Sequence, residues 1–479
     1  MNYQILFYTL GWIFNFQAIF LLLPSIVALV YRESSGWCFL ITAAVTGIIG
    51  VALTIKKPKN TQFHSREGFV LVALGWVLMS LIGAVPMWIS GAIPNYADAV
   101  FETVSGITTT GATILSSVEA MPNCVNFWRC FSNWIGGMGV VVFMMTILPA
   151  IGSNGSMYLM RAESPGPSFG KLVPKLKKTA MLLYGMYIGM TLIQLILLLC
   201  GGLDFFDSLC VSIATAGTGG FGIKDDGFSG YSTYVQIVVT IFMFLFGVNF
   251  KFYFLLLMKK FKEAFMIEEV IWYTILFGAA TLLITIDIFP LIGTIGGSLK
   301  HSAFQVASIM TTTGFATVDF NQWPIFAQTI LLILMFVGAC AGSTGGGMKV
   351  SRFIIYIKSA HKEIASLLHP NSVKKIQMDR KVIDHETIRS ANIYLIIYIL
   401  VLGVSILIVS LNGLDMVTTV TSVITCFNNV GPGFGIVGPM GNFGSLSIMS
   451  KIVLILDMLL GRLEIFPIIV LLFRDTWKR

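Results

Sequence analysis

Charge is scarce in this sequence: Asp, Glu, Lys and Arg make up 11% of its 479 residues, against about 25% in soluble domains. That excludes water as the main solvent of the chain. Histidine is rare too, and His64, His301, His361, His369 and His385 form no H-E-x-x-H pair, the spacing a zinc hydrolase needs. The seven cysteines contain no C-x-x-C and no metal-ligand spacing. No βαβ unit carries a G-x-G-x-x-G fingerprint, so the chain holds no nucleotide-binding module of that kind. With no nucleophile-base set and no ligand cluster, an enzyme is not expected, and no organic cofactor either.

Hydrophobic residues fill that space, at 56% of the chain. Apolar runs long enough to cross a hydrocarbon core, about 20 residues per helix, recur at 5–30, 37–55, 68–91, 126–150 and 177–200, and again at 233–258, 269–289, 322–340, 390–411 and 447–473. The pattern predicts an all-α membrane protein with ten transmembrane helices in contact with lipid. The first run lacks a basic leader and exceeds a signal-peptide core, so it counts as a membrane helix.

The net charge of +8 does not point to nucleic acid, because the basic residues cluster in alternate loops: 56–67, 150–180, 259–268, 348–392 and the tail from Arg474. By the positive-inside rule these face the cytoplasm, and an even span count puts both termini there. The opposite loops carry Asp98, Glu102, Glu119, Asp204, Asp207, Asp225, Asp226 and Asp319, an acidic outer face expected to concentrate cations. Cys124 and Cys130 share that face, and compartment alone allows them a disulfide.

After residues 1–67, which hold two leading spans, the other eight spans fall into four units at 68–176, 177–268, 269–389 and 390–479. Each unit encloses a segment too short to cross and too apolar for an ordinary loop, at 97–115, 204–223, 298–318 and 415–435. About eleven helix-compatible residues, roughly 16 Å, are followed by a break: S-G-I-T-T-T-G-A-T ending at Thr113, S-I-A-T-A-G-T-G-G-F-G ending at Gly222, S-I-M-T-T-T-G-F-A-T ending at Thr317, and C-F-N-N-V-G-P-G-F-G ending at Gly435. Two spans per unit make all four units point the same way, which predicts four parallel helix-pore loop-helix repeats around one central pore rather than an inverted-repeat transporter. Non-helical backbone at membrane depth must line something polar. Glycine lets successive carbonyls turn toward an axis, and rings of carbonyl oxygens replace the hydration shell of a monovalent cation. The breaks hold no carboxylate, the group divalent-cation pores use.

At these residues the chain resembles the Trk/Ktr/HKT superfamily of potassium transporters, and within it the TrkH-type membrane subunits, over nearly its whole length. The resemblance implies potassium as transported ligand and one filter glycine per loop: Gly111, Gly220, Gly314 and Gly431. Carbonyls would come from Thr109, Thr110, Thr218, Gly219, Thr312, Thr313, Asn429 and Val430, with Gly433 a rival for the fourth register. The run from Gly338 to Lys349 interrupts an apolar helix, and by resemblance Gly342, Ser343, Thr344, Gly345, Gly346, Gly347 and Lys349 form an intramembrane gating loop. Arg462, about 22 Å down the last helix, matches a pore arginine of the family, with a salt bridge to Asp457 or Glu464 as the plainer reading. The role of Lys251 in the sixth span stays open. The resemblance further implies a homodimer in the inner membrane and a cytosolic TrkA-like ring that binds nucleotide. Channel and ion-coupled symporter are not separated by sequence, and an unrelated secondary cation transporter is the alternative if the four loops fail to converge.

Overall fold

The structure is a computed structural model that describes residues 1–58, 65–139, 176–369 and 375–477. Residues 140–150 of the fourth expected span, half of the basic segment 56–67 and most of the basic segment 150–180 lie outside the described residues.

Two leading helices, α1 (Tyr3–Tyr31) and α2 (Gly36–Thr54), form an antiparallel pair. Their small residues set the approach: a Cβ on Gly36 would strike Ala28, and one on Gly11 would strike Leu53 near the other end. Four units then follow. The first holds α3 (Ser65–Ile89), α4 (Tyr96–Ile107) and α5 (Asn123–Met138). The second holds α6 (Leu176–Cys200), α7 (Phe205–Ala216), α8 (Thr233–Phe246), α9 (Phe250–Leu257) and a short α10 (Phe261–Phe265). In the third are α11 (Glu268–Ile292), α12 (Ile295–Met310), α13 (Ile325–Val337) and α14 (Val350–Leu368). A two-stranded hairpin, β1 (Gln377–Met378) with β2 (Lys381–Val382), leads to the fourth unit: α15 (His385–Ser410), α16 (Met416–Phe427), α17 (Ile448–Arg462) and α18 (Phe466–Leu472).

The re-entrant helices are α4, α7, α12 and α16. Three of them start on a side chain that caps a free backbone N–H: Asn95 accepts from Ala97, Asp204 from Phe206, and Asp415 from Thr418. Of the outer acids expected to concentrate cations, Glu119, Asp204, Asp225 and Asp226 are exposed. Asp98 pairs with Lys451 at 2.7 Å, and Glu102 is fully buried.

The first helix of every unit is a single long span of 25 or 26 residues. The second is not. Helices α5, α8, α13 and α17 run 16, 14, 13 and 15 residues before they break, about 20–24 Å of rise against a core of about 30 Å. The expected sixth span is broken outright, with α9 bent 91° from α8. The last span breaks after Arg462, where Glu464 and Ile465 take positive φ. The breaks fall beside the re-entrant loops, where backbone groups freed from one helix find partners in neighbouring segments, as hydrocarbon requires. Gly247 O, for example, accepts from Cys340 N at 3.0 Å.

Cys124 and Cys130 are free and buried in α5. Six residues of helix separate them by about 9 Å of rise, too far to bridge; Cys124 lies 3.2 Å from Ser35 Oγ, and Cys130 donates to Phe221 O. Lys251 sits past the bend, half exposed and 3.7 Å from Asp379 on the hairpin.

Candidate functional site

All four re-entrant helices end in one motif. The backbone N–H groups of Thr110, Gly219, Thr313 and Val430 reach back five residues to the carbonyls of Ser105, Ala214, Ser308 and Thr425, and those of Thr109, Thr218, Thr312 and Asn429 reach back three. This is a Schellman ending, whose left-handed residue is usually glycine. Here it is Thr109 (φ 56°), Thr218 (50°), Thr312 (56°) and Asn429 (55°). Two residues on comes a second left-handed residue, Gly111 (φ 78°), Gly220 (74°), Gly314 (86°) and Gly431 (98°). The recurrence at Asn429 and Gly431 gives the fourth loop its register, since Gly433 lacks positive φ.

These loops form a closed ring in chain order. A Cβ on Gly111 would collide with Gly219 O, one on Gly220 with Thr313 O, one on Gly314 with Val430 O, and one on Gly431 with Thr110 O. Each glycine thus lies against the carbonyl that precedes the glycine of the next loop, and the fourth returns to the first. A cavity of about 150 Å³ opens over the ring and is lined by all four glycines. The helices aim their carboxyl, partially negative ends at the ring, a favourable field for a cation.

The run expected to form the gate packs against the third and fourth loops, on the side of the ring away from the cavity. Gly346 N donates to Thr312 Oγ1 at 2.6 Å, and a Cβ on Gly346 would meet Asn428 O and Asn429 Cβ. Gly345 lies equally close to Thr311 O. Lys349, buried, turns back on its own loop and donates to the carbonyls of Gly345 and Gly346. Gly342 O accepts from Phe250 N at 3.0 Å, and Thr344 donates through Oγ1 to Phe246 O. One residue outside the sequence reading organises both ends of the loop: Glu269, 1% exposed, accepts from Ala341 N (2.6 Å) and Ser351 N (3.1 Å), and from Asn249 Nδ2 at the α8–α9 bend. Its signal was an acid at the start of an apolar run, where a charge marks a functional contact.

Arg462 lies below the ring. It donates from Nη1 to Thr344 O at 2.9 Å, and from Nη2 to the carbonyls of Gly136 and Gly137 at the end of α5. The two acids named for it from the sequence bind elsewhere: Glu464 pairs with Arg352 at 2.6 Å, and Asp457 accepts from Ser405 Oγ. Arg462 thus joins the gating run to the end of a helix of the first unit.

A multi-pass membrane protein whose four parallel re-entrant loops close one ring of glycine and carbonyl oxygen belongs to the pore-loop transport proteins. Comparison with known proteins narrows this. The model of the TrkH family, described as a cation transport protein, matches residues 36–476. The Trk system potassium uptake protein TrkH of Escherichia coli (strain K12) is 34% identical, with 96% of each chain covered. TrkG of the same organism is 33% identical over 98% of this chain and 97% of its own. The crystal structure of the potassium transporter TrkH from Vibrio parahaemolyticus superposes with a TM-score of 0.89 at 29% identity, covering all of both chains. The chain belongs to the TrkH family, and is a transporter rather than an enzyme.

Proposed function

We propose that this protein carries potassium into the cell through the ring, with Thr109, Thr110, Gly111, Thr218, Gly219, Gly220, Thr312, Thr313, Gly314, Asn429, Val430 and Gly431 as the selectivity filter. The closed succession of each glycine against the next loop's carbonyl is the observation that carries the reading. Carbonyl oxygens held at fixed spacing replace the water a potassium ion sheds. Convergence of all four loops on one ring also weighs against the unrelated secondary transporter.

Gly342 to Gly347, with Lys349 and Arg462, act as the gate in this reading. The loop closes the inner mouth, and a positive charge beneath the filter raises the energy of a passing cation. Placement of the basic loops supports cytoplasmic termini in the plasma membrane. The similarity to Trk system proteins supports a cytosolic nucleotide-binding ring of the TrkA type as partner, and a homodimer of the membrane part.

The test is cation uptake into liposomes holding the purified chain, run with potassium, rubidium, sodium and lithium. Uptake of potassium and rubidium well above sodium and lithium is expected. Equal uptake of all four would overturn the filter, and a strict requirement for a driving proton or sodium gradient would replace the channel with a symporter.

A further inference from the structure

The four junctions of the ring are not tied alike. Between the second and third loops, Phe228 N donates to Ala316 O at 2.8 Å and the Phe228 ring lies 4.4 Å from that of Phe315. Between the third and fourth, Asn321 accepts from Gly435 N. Between the fourth and first, Phe443 N donates to Thr113 O. Between the first and second, Asp225 accepts from Ser117 Oγ, Val118 N and Glu119 N at the surface, and beneath that tie the two loops are also joined by buried charge.

Glu102, on α4, is fully buried and accepts four hydrogen bonds. Thr113 Oγ1 donates to both its oxygens (2.9 and 3.2 Å) and Ile114 N to one (3.0 Å), all from the limb that rises out of Gly111; the fourth is from Arg129 Nε at 2.8 Å. Arg129, on α5 and 2% exposed, extends the other way: Nη1 donates to Gly222 O on the limb beyond Gly220 and to Asn126 Oδ1, and the guanidinium lies 4.3 Å over the Phe221 ring. Among the described residues, no charged pair occupies the matching places in the other units. Nine residues before the ring glycine they hold Val211, Gln305 and Ser422, and at the position of Arg129 in the second helix they hold buried Val239, Leu331 and Leu454.

We propose that Glu102 and Arg129 are a positioning pair for ion selection, a rigid strut that sets the distance between the limbs of the first and second loops and so the opening between Gly111 and Gly220. The pair touches neither the ring carbonyls nor, on this reading, the ion; it acts through the two limbs. A buried pair survives in a membrane core only when its remaining hydrogen-bond capacity is met, and here the surplus bonds all go to loop backbone or to residues beside it. In the other three units neutral side chains stand at the matching places, so packing of the two helices does not itself require charge. A strut of this geometry explains why the charges are kept.

The inference rests on the filter reading, and the parent chain tests that reading by itself: a parent that does not prefer potassium overturns the filter and the strut with it. Given a selective parent, Glu102→Gln and the double variant Glu102→Leu/Arg129→Leu are purified, checked for monodispersity and compared in the same liposomes, with flux counted per folded protein. Both are expected to lose potassium-over-sodium preference severalfold. Glu102→Gln, which leaves the Arg129 charge uncompensated, should also raise the potassium concentration for half-maximal uptake, and the double variant should not. Leu331→Ala, at the matching place in the third unit, is the comparison: it should lower the melting temperature and keep the parent's preference. A folded Glu102→Gln with the parent's potassium-to-sodium ratio overturns the proposal, whatever becomes of the double variant.

Discussion

A threonine in left-handed backbone costs about 1–2 kcal/mol, yet Thr109, Thr218 and Thr312 all adopt it, and Asn429 makes a fourth. Glycine would relieve that strain but would leave no side chain: Thr312 Oγ1 receives the gating run, and Asn429 Nδ2 donates to Thr110 Oγ1 and Met458 O. At the second left-handed position the demand is the reverse, since any Cβ strikes the next loop's carbonyl. Gly111→Ser should therefore admit sodium or slow potassium, read as a shift in competitive uptake; an unchanged ratio and rate would remove Gly111 from the filter. Arg462 makes an electrostatic case. A fixed positive charge 4 Å from a cation opposes it by about 4 kcal/mol at an effective dielectric near 20, and cavity water lowers this. Arg462→Ala should raise flux severalfold and leave ion preference alone; normal flux from well-folded protein would make the residue a structural tie. The spacing of the glycines was legible in the sequence because each sits a fixed distance past a half-length helix. The left-handed threonines were not, because threonine disfavours that backbone. Glu102 read as an outer-face acid for a similar reason: its partner Arg129 is 27 residues away, and burial is a property of the folded unit.

Single long spans were the easiest elements to read, since 25 apolar residues have one economical conformation in lipid. The second helix of each unit misled by composition. Residues 322–340 are as apolar as any span, but Gly338 at φ 70° ends the helix at Val337 and starts the gating run. Apolar character reports the surroundings of a segment, not whether it is straight. Glu269 holds that run at both ends, so Glu269→Gln, a weaker acceptor, should loosen it and raise basal cation flux per folded protein; unchanged flux would show that the run closes without its anchor. On the opposite face Asp225 ties loop to loop. Burial raises its carboxyl, but donors from Ser117 Oγ, Val118 N and Glu119 N outweigh that and hold it below its ordinary value. A lowered folded value means the stabilisation is present above the ordinary carboxylate range and fades as pH falls through the folded value. Asp225→Asn should accordingly lower the melting temperature at neutral pH, with the gap to the parent closing only as pH falls below the ordinary carboxylate range and through the lowered folded value. A constant gap across that range would mean the charge is not the source of the effect.

Across the whole molecule the four units share one backbone plan and differ in what they hang on it. A charged strut belongs to the first, a 91° bend to the second, the long gating run to the third, and Arg462 to the fourth. In a ring of four separate identical chains, each of these would occur four times. Because one chain supplies all four, the ring is complete only when Gly431 reaches Thr110, 321 residues earlier. A chain stopped after Arg389 should insert and yet show no potassium-selective uptake, and co-production of residues 390–479 should restore it; selective uptake by the shortened chain would mean three loops suffice. The dependence on the last unit bears on how a cell can make such a protein safely. A ribosome threading the first three units into the bilayer leaves behind no finished conduit, so the ion gradients that power the cell are not drained through half-made copies.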